Sequence, residues 1–211
     1  MKSNDIKMGM YKIICHAVKK HGHAFSAQIS IMQGLQYFEH LSEPMAEILA
    51  ILQKEFDHTQ LAEDVLRYLV ASLKSPCPSQ PPREISQKSF NGQDTKGPRS
   101  FSRFLIRLAD LSPRVILKQF ALLRIHLDSD AYPMRIALVE VVGVLIREIA
   151  QDDVDSSSNG AGDDSGGLSQ EGQEKKERKI NKLFELLLER FCDVSSYVRV
   201  KVINTLSKLW E

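Results

Sequence analysis

The chain is poor in the features of disulfide-rich, secreted or membrane-spanning proteins. Its 211 residues contain three scattered cysteines, Cys15, Cys77 and Cys192, and no Cys-x-x-Cys pair. We therefore expect no disulfide framework and a reducing compartment. No apolar run reaches membrane-spanning length, and residues 1–5 lack the apolar core of a signal peptide. The sequence thus predicts a cytosolic or nuclear protein.

An excess of charge of one sign is also absent. The chain has 28 basic and 27 acidic residues, for a net charge of +1, so strong nonspecific attraction to nucleic acid or to a membrane is not expected. Aromatic residues make up 7 %, with one tryptophan. The apolar residues are mostly Leu, Ile, Val and Ala, a profile typical of helices packed on helices.

The sequence motifs of common catalytic centres are missing. There is no P-loop, G-x-G-x-x-G, G-x-S-x-G or H-E-x-x-H pattern. His21 and His23 follow Cys15, but no second ligand cluster at zinc spacing accompanies them. Cys15 and His16 are neighbours on one predicted helix and point in different directions, so they do not form a nucleophile–base pair. We predict no enzyme activity, no metal and no cofactor.

A short motif occurs twice. Residues 128–135 (DSDAYPMR) and 193–199 (DVSSYVR) each precede an apolar stretch, and apolar residues fall at offsets 3, 4, 7 and 10 after each arginine. This spacing is one face of an α-helix. The residues are Leu138, Val139, Val142 and Leu145 in the first copy and Val202, Ile203, Leu206 and Leu209 in the second. A repeated helix-turn-helix unit predicts an α-solenoid, whose function is recognition more often than catalysis.

The distance between the two copies fits one solenoid class. Arg135 and Arg199 are 64 positions apart, and removing the polar 24-residue stretch 151–174 leaves 40, within the range of HEAT and armadillo repeats. The aspartate of each copy is expected to cap the following helix. Each arginine is expected to face the aspartate of a neighbouring repeat and to form an inter-repeat ion pair. The alternative is that two unrelated helices have similar starts by chance.

Composition divides the chain into five segments. We assign residues 5–73 to N-terminal helical repeats, 99–150 to HEAT-type repeats and 175–211 to a last, truncated HEAT-type repeat. Residues 74–98 hold five of the eight prolines, and residues 151–174 hold seven acidic residues and no basic one. We expect a flexible linker in the first and an acidic disordered insert in the second, because neither can bury enough apolar surface to offset its ordering entropy.

Local signals predict where several helices begin and end. Gly22 is a predicted helix stop, and residues 57–60 resemble a capping box that starts a new helix. Ser112 is a predicted N-cap, with Pro113 at the first helical position. Residues 133–150 are apolar almost all round, so this helix must be covered on several sides.

Two groups of residues are candidate surface sites. The basic run Lys175, Lys176, Arg178 and Lys179 is a candidate contact for phosphate groups, although such a run is more often a solvated helix face. Ser75 precedes Pro76 in the predicted linker, which makes it a candidate site for phosphorylation by a proline-directed kinase.

Five runs of sequence resemble blocks of one protein family. They are residues 19–25 (KKHGHAF), 36–47 (QYFEHLSEPMAE), 56–63 (FDHTQLAE), 100–105 (SFSRFL) and 132–135 (YPMR). Together they resemble the D-type HEAT-repeat regulatory subunits of condensin. The resemblance covers nearly all of residues 5–150 and continues more loosely to 211.

This resemblance implies a fold, a set of partners and a location. It implies an all-α HEAT-repeat solenoid that is not an ATPase. It also implies a scaffold that binds the kleisin and SMC subunits of condensin, associates with chromatin and acts in mitotic chromosome condensation in the nucleus. The family's chains are several times longer, so this sequence would cover part of one array.

Two other functions stay open from the residues themselves. One is direct nucleic-acid binding through Lys19, Lys20 and the 175–179 run, which predicts an affinity that falls steeply with salt. The other is peptide binding by a HEAT module of the transport-adaptor type.

Overall fold

A computed structural model describes residues 3–74, 96–156 and 170–210, and in that part of the chain it contains nine α-helices and no strand. The helices are α1 (Ser3–Lys20), α2 (Ala24–Tyr37), α3 (Ser42–Phe56), α4 (Gln60–Lys74), α5 (Lys96–Leu111), α6 (Pro113–Leu123), α7 (Tyr132–Ser156), α8 (Gln170–Glu189) and α9 (Ser196–Trp210). Short 3-10 turns at Glu39–Leu41, Arg124–Asp128 and Arg190–Cys192 precede α3, α7 and α9.

The helices stack in two layers. In the first layer α1, α3, α5, α7 and α9 lie side by side, each packed on the next. In the second layer α2 packs on α4 and α4 on α6. The buried apolar side chains of both layers form one continuous core. The predicted class, an all-α array of the HEAT-solenoid type, is confirmed, since the helices of the first layer stack side by side in chain order.

The end of α1 follows from one glycine. Gly22 has a φ of +64°, a left-handed conformation that glycine adopts without a steric penalty. The His23 amide donates to the Val18 carbonyl at 3.1 Å and the Gly22 amide to the Lys19 carbonyl at 3.4 Å. This pair of bonds is a Schellman motif, which satisfies carbonyls at the helix end. The predicted stop at Gly22 is confirmed.

Two predicted helix starts are only partly correct. Asp57 does not start α4; it ends α3 in a left-handed conformation with φ 50°, and its amide donates to the Leu52 carbonyl. Ser112 does occupy the N-cap position of α6 with Pro113 after it, but its side chain makes no capping hydrogen bond. Its ψ of 62° departs from the extended backbone that usually aims an N-cap oxygen at the first turn.

Helix α7 packs against four other helices. It contacts α5 on one side, α9 on the other, and α6 and α8 as well. Ten of its apolar side chains are buried, namely Met134, Ala137, Leu138, Val139, Val141, Val142, Val144, Leu145, Ile146 and Ile149. The expectation that this helix is covered on several sides is confirmed.

Both ends of the stretch expected to be disordered, residues 151–174, are helical where the structure describes them. Helix α7 continues to Ser156 and α8 begins at Gln170. An existing helix extends at little cost, because each added residue gains a hydrogen bond without a new nucleus. In α8, Glu174 and Arg178 form an i,i+4 ion pair at 3.0 Å, which supports its first turns. Helix α5 likewise begins at Lys96, inside the predicted linker; residues 75–95 and 157–169 lie outside the described part.

Candidate functional site

A largely buried ion pair joins α7 to the turn before α9. The Arg135 guanidinium donates from Nε to Asp193 Oδ2 at 2.9 Å and from Nη2 to Asp193 Oδ1 at 3.0 Å. Both side chains are largely buried, with 13 % and 4 % exposed. Burial alone would raise the pKa of Asp193, but hydrogen bonds from Arg135 and the Ser195 amide hold it below its usual value. The predicted inter-repeat ion pair is thus confirmed for Arg135.

A second ion pair joins the same two turns, but here the turn before α9 supplies the arginine and the turn before α7 supplies the aspartate. Arg190, in the 3-10 turn after α8, donates to Asp128 Oδ1 at 3.0 Å and to the Leu127 carbonyl at 2.9 Å. No sequence signal marks Arg190 as a partner, because it lies outside the repeated motif. Since Asp128 is 79 % exposed, solvent and salt screen this pair, and it contributes less than the buried one.

The structure changes the alignment of the two motif copies. In one turn Ser129 Oγ accepts from the Ala131 amide at 3.3 Å, and in the other Asp193 Oδ1 accepts from the Ser195 amide at 2.8 Å. Ser129 is therefore the counterpart of Asp193, and Asp128 is not. Neither aspartate is the simple helix cap that the sequence predicted, since Asp128 binds Arg190 and Asp193 closes its own turn. The shared turn geometry argues against a chance similarity.

A row of ion pairs also joins helices of the first layer. Glu47 on α3 binds Lys7 of α1 at 2.6 Å and Arg107 of α5 at 2.8 Å. Burial alone would raise the pKa of Glu47, but the hydrogen bonds from these two cations lower it. Farther along, Glu140 of α7 binds Lys201 of α9 at 2.6 Å. No local sequence pattern marks these pairs, because their partners lie on different helices.

The predicted phosphate-contact run lies on the surface of α8. Lys175, Arg178 and Lys179 are exposed and Lys176 is half-buried. Arg178 is paired with Glu174 of its own helix at 3.0 Å, and Lys176 donates to the Ala150 carbonyl at 3.2 Å. Arg178 and Lys176 are thus engaged by contacts within the protein. Ser75, the candidate phosphorylation site, lies outside the described residues.

The cysteine and histidine candidates form no reactive constellation in the part of the chain described. Cys15 is buried and directs its thiol at the Ile48 carbonyl at 3.5 Å. Burial, with a smaller contribution from Glu55, raises the pKa of this thiol to about 11. Among residues 3–74, 96–156 and 170–210, no three His, Cys, Asp or Glu side chains come together as metal ligands. None of the described helices is long and apolar enough to cross a bilayer.

The first and last helices of the described array, α1 and α9, both expose apolar side chains. On α1, Ile6, Met10 and Ile13 project outward in a row. Between α1 and the end of α3 lies an open cleft of about 460 Å³, lined by Lys12, Ile13, His16, Ala17, Lys20, His21 and Phe56. At the other end, α9 exposes Tyr197, Val200, Ile203 and Trp210. Such faces are typical of surfaces that bind another protein.

Comparison with known proteins identifies the family. Residues 1–27 match the family model described as non-SMC mitotic condensation complex subunit 1, N-term. Over 208 residues, 99 % of the chain, the sequence is 36 % identical to condensin complex subunit 1 of Saccharomyces cerevisiae. The chain belongs to the condensin complex subunit 1 family. The resemblance predicted from the five sequence runs is confirmed.

Other members of the condensin complex subunit 1 family match over the same extent. The protein of Schizosaccharomyces pombe is 32 % identical over 211 residues, 100 % of the chain. That of Mus musculus is 23 % identical over 208 residues, 99 % of the chain. The chain spans only 15 %, 16 % and 13 % of the three relatives' own lengths.

Proposed function

We propose that this chain is a noncatalytic scaffold segment of condensin, working on chromosomes in the nucleus during mitosis. One observation carries the proposal: 99 % of the chain aligns at 36 % identity with a relative named condensin complex subunit 1. The partners we propose are the kleisin and the SMC ATPase subunits, with chromatin engaged through the complex.

The architecture supports a binding role. The stacked helices give a continuous core, and ion pairs such as Lys7–Glu47 and Arg135–Asp193 fix neighbouring helices to one another. A rigid array of this kind presents an extended surface to long partners without a catalytic pocket. The apolar row of Ile6, Met10 and Ile13 on α1 is the surface that we propose for the kleisin.

The test is retention of purified kleisin by the immobilised chain at low and at high salt. We expect kleisin to be retained at both salt concentrations, because apolar contacts are insensitive to screening. Ile13→Glu should abolish retention, whereas Tyr68→Glu, at an exposed aromatic position on α4, should not. Failure of the unmodified chain to retain kleisin at either salt concentration would refute this scaffold role.

A second candidate function is nucleic-acid binding, and the cleft beside α1 favours it. His16, Lys20 and His21 line this cleft together with Lys12, whereas Lys19 is committed to the Phe56 carbonyl. If this function is correct, the affinity for duplex DNA should fall steeply as the salt concentration rises. Lys20→Glu would weaken binding, and Lys182→Glu on α8 is the charge-matched control. DNA binding without kleisin binding would favour nucleic-acid binding over the scaffold role.

A further inference from the structure

Aromatic side chains are exposed at the turn between α2 and α3. Tyr37 is 69 % exposed and Phe38 is 52 % exposed, and His40 is exposed as well. The rings of Phe38 and His40 contact each other edge-on, with their centroids 5.9 Å apart. We call these three residues the aromatic turn. Exposed rings that lie close together are typical of a surface that another stretch of polypeptide covers.

The segment 75–95 follows a helix whose end lies level with the aromatic turn. Helices α2 and α4 pack side by side. They run in the same direction, since each returns through a three-residue turn from one of the parallel helices α1 and α3. Gln28 of α2 donates to the Asp64 carbonyl of α4 at 3.3 Å. Ten residues beyond these two, the chain reaches Phe38 and, on α4, Lys74. Because both helices rise equally per residue, the end of α4 lies beside the aromatic turn.

The helix that follows the same segment also begins beside the aromatic turn. Helix α5 begins at Lys96, about one helical turn before Ser100. Ser100 Oγ lies 2.9 Å from Ser42 Oγ at the start of α3. The turn Glu39–Leu41 itself contacts α5. Segment 75–95 therefore connects two helix ends that both adjoin the aromatic turn.

The length of segment 75–95 far exceeds what this connection needs. Its 21 residues would span about 70 Å when extended, whereas residues 38–41 suffice to join α2 to α3. A tether of this kind keeps its own residues at an effective concentration of about 1 mM near the points of attachment. Even a weak contact between this segment and the aromatic turn is therefore populated.

The first part of the segment has a composition that suits docking on aromatic rings. It contains four prolines, and two of them have the P-x-x-P spacing; the four are Pro76, Pro78, Pro81 and Pro82. Proline-rich sequences favour the polyproline II conformation before they bind, so that they lose little entropy on docking. The surfaces that bind them are lined with exposed aromatic side chains.

We propose that residues 76–83 of this chain dock on its own aromatic turn, with proline rings packed against Tyr37 and Phe38. The two points of attachment select this occupant, because both of them lie beside the aromatic turn. The docked residues join the end of α4, the turn between α2 and α3 and the start of α5. This inference does not depend on kleisin binding or on the scaffold role.

The test is limited digestion of the whole chain with trypsin at low chain concentration, with the first cuts quantified by mass spectrometry. Trypsin cuts after Arg83, within the docked residues, and after Lys88, beyond them. A synthetic peptide of residues 75–95 gives the intrinsic ratio of the two cleavage rates. We expect the ratio of Arg83 to Lys88 cleavage to be about tenfold lower in the chain than in the peptide, because cleavage tracks the undocked population.

Substitutions on both sides of the contact identify it. Tyr37→Ala combined with Phe38→Ala should return the ratio to that of the peptide. Phe25→Ala removes another exposed ring of α2, about three helical turns before Tyr37, and as the matched control it should leave the ratio unchanged. Pro78→Ser combined with Pro81→Ser should also return the ratio to that of a peptide with the same changes. This second pair leaves the sequence of every described helix intact, so it keeps the test valid if the aromatic variant unfolds.

The opposite outcomes are equally defined. A ratio in the unmodified chain equal to that of the peptide would overturn the proposal, and so would protection that survives the loss of both aromatic rings. Protection that grows with chain concentration would show docking between two copies instead. Protection that appears only when purified kleisin is added would assign the aromatic turn to that partner and overturn the proposal as well.

Discussion

Arg135 and Asp193 lie 58 residues apart in the sequence and form a bidentate ion pair between α7 and the turn before α9. The same guanidinium also binds two carbonyls of its own turn, so one side chain closes a turn and fastens the next repeat to it. The ion pair thereby joins α9 and the turn before it to α7.

Removal of either partner of this pair should destabilise the chain. Asp193→Asn or Arg135→Ala leaves a buried charge without its counter-ion, which costs about 3 kcal/mol in other proteins. We expect the free energy of unfolding, from urea titration, to fall by about 2–3 kcal/mol. Arg178→Ala, at the exposed pair with Glu174, should cost less than about 0.5 kcal/mol. Equal effects at both sites would contradict the dominant role of the buried pair.

The contribution of Asp193 should depend on pH in a defined direction. Its folded-state pKa is lowered, so its stabilising effect is fully present above the unfolded pKa of about 3.9 and is lost as the pH falls through the folded pKa. The difference in unfolding free energy between the unmodified chain and Asp193→Asn should therefore be constant from about pH 7 to pH 5 and shrink below about pH 4. A difference that grows on acidification would be inconsistent with a lowered pKa.

A side chain at position 143 should destabilise the chain. A Cβ at this position would lie 2.4 Å from Thr205 Cγ2 on α9, so Gly143→Ala should cost about 1–3 kcal/mol through overpacking, although alanine favours helix. Thr205→Ser removes that methyl group and should restore much of the loss in the double variant. Gly9→Ala on α1, where the added methyl meets nothing within 4 Å, is the control and should stabilise by up to about 1 kcal/mol. Thermal unfolding followed by circular dichroism distinguishes these variants.

The two described cysteines should react at different rates with a thiol reagent. Cys15 is buried and its pKa is raised to about 11, so at pH 8 it holds little thiolate, the reactive form. Cys192 is exposed. In a Cys77→Ser background we expect rapid labelling of Cys192 and labelling of Cys15 only after denaturation. Mass spectrometry of the labelled peptides reads out both sites, and rapid labelling of Cys15 in the folded chain would show that α1 detaches from α3.

Some features were predictable because neighbouring residues encode them. Helical periodicity marked the apolar helix that became α7, and Gly22 marked the end of α1. The spacing of Arg135 and Arg199, 64 positions or 40 without residues 151–174, predicted a stacked array and an ion pair between repeats. One wrong prediction also has a local origin. Asp57 resembled a helix start but takes the left-handed conformation that ends α3, because short polar residues suit both roles.

The sequence by itself determined the all-helical class, the repeat and the family, because hydrophobic spacing and runs of matching residues are local properties. Only the tertiary structure decided that Ser129, and not Asp128, is the counterpart of Asp193. It alone showed that Arg190 binds Asp128 and that Glu47 joins Lys7 to Arg107. These contacts join side chains about 40 to 60 residues apart, and their formation depends on how the helices stack, which no local pattern specifies.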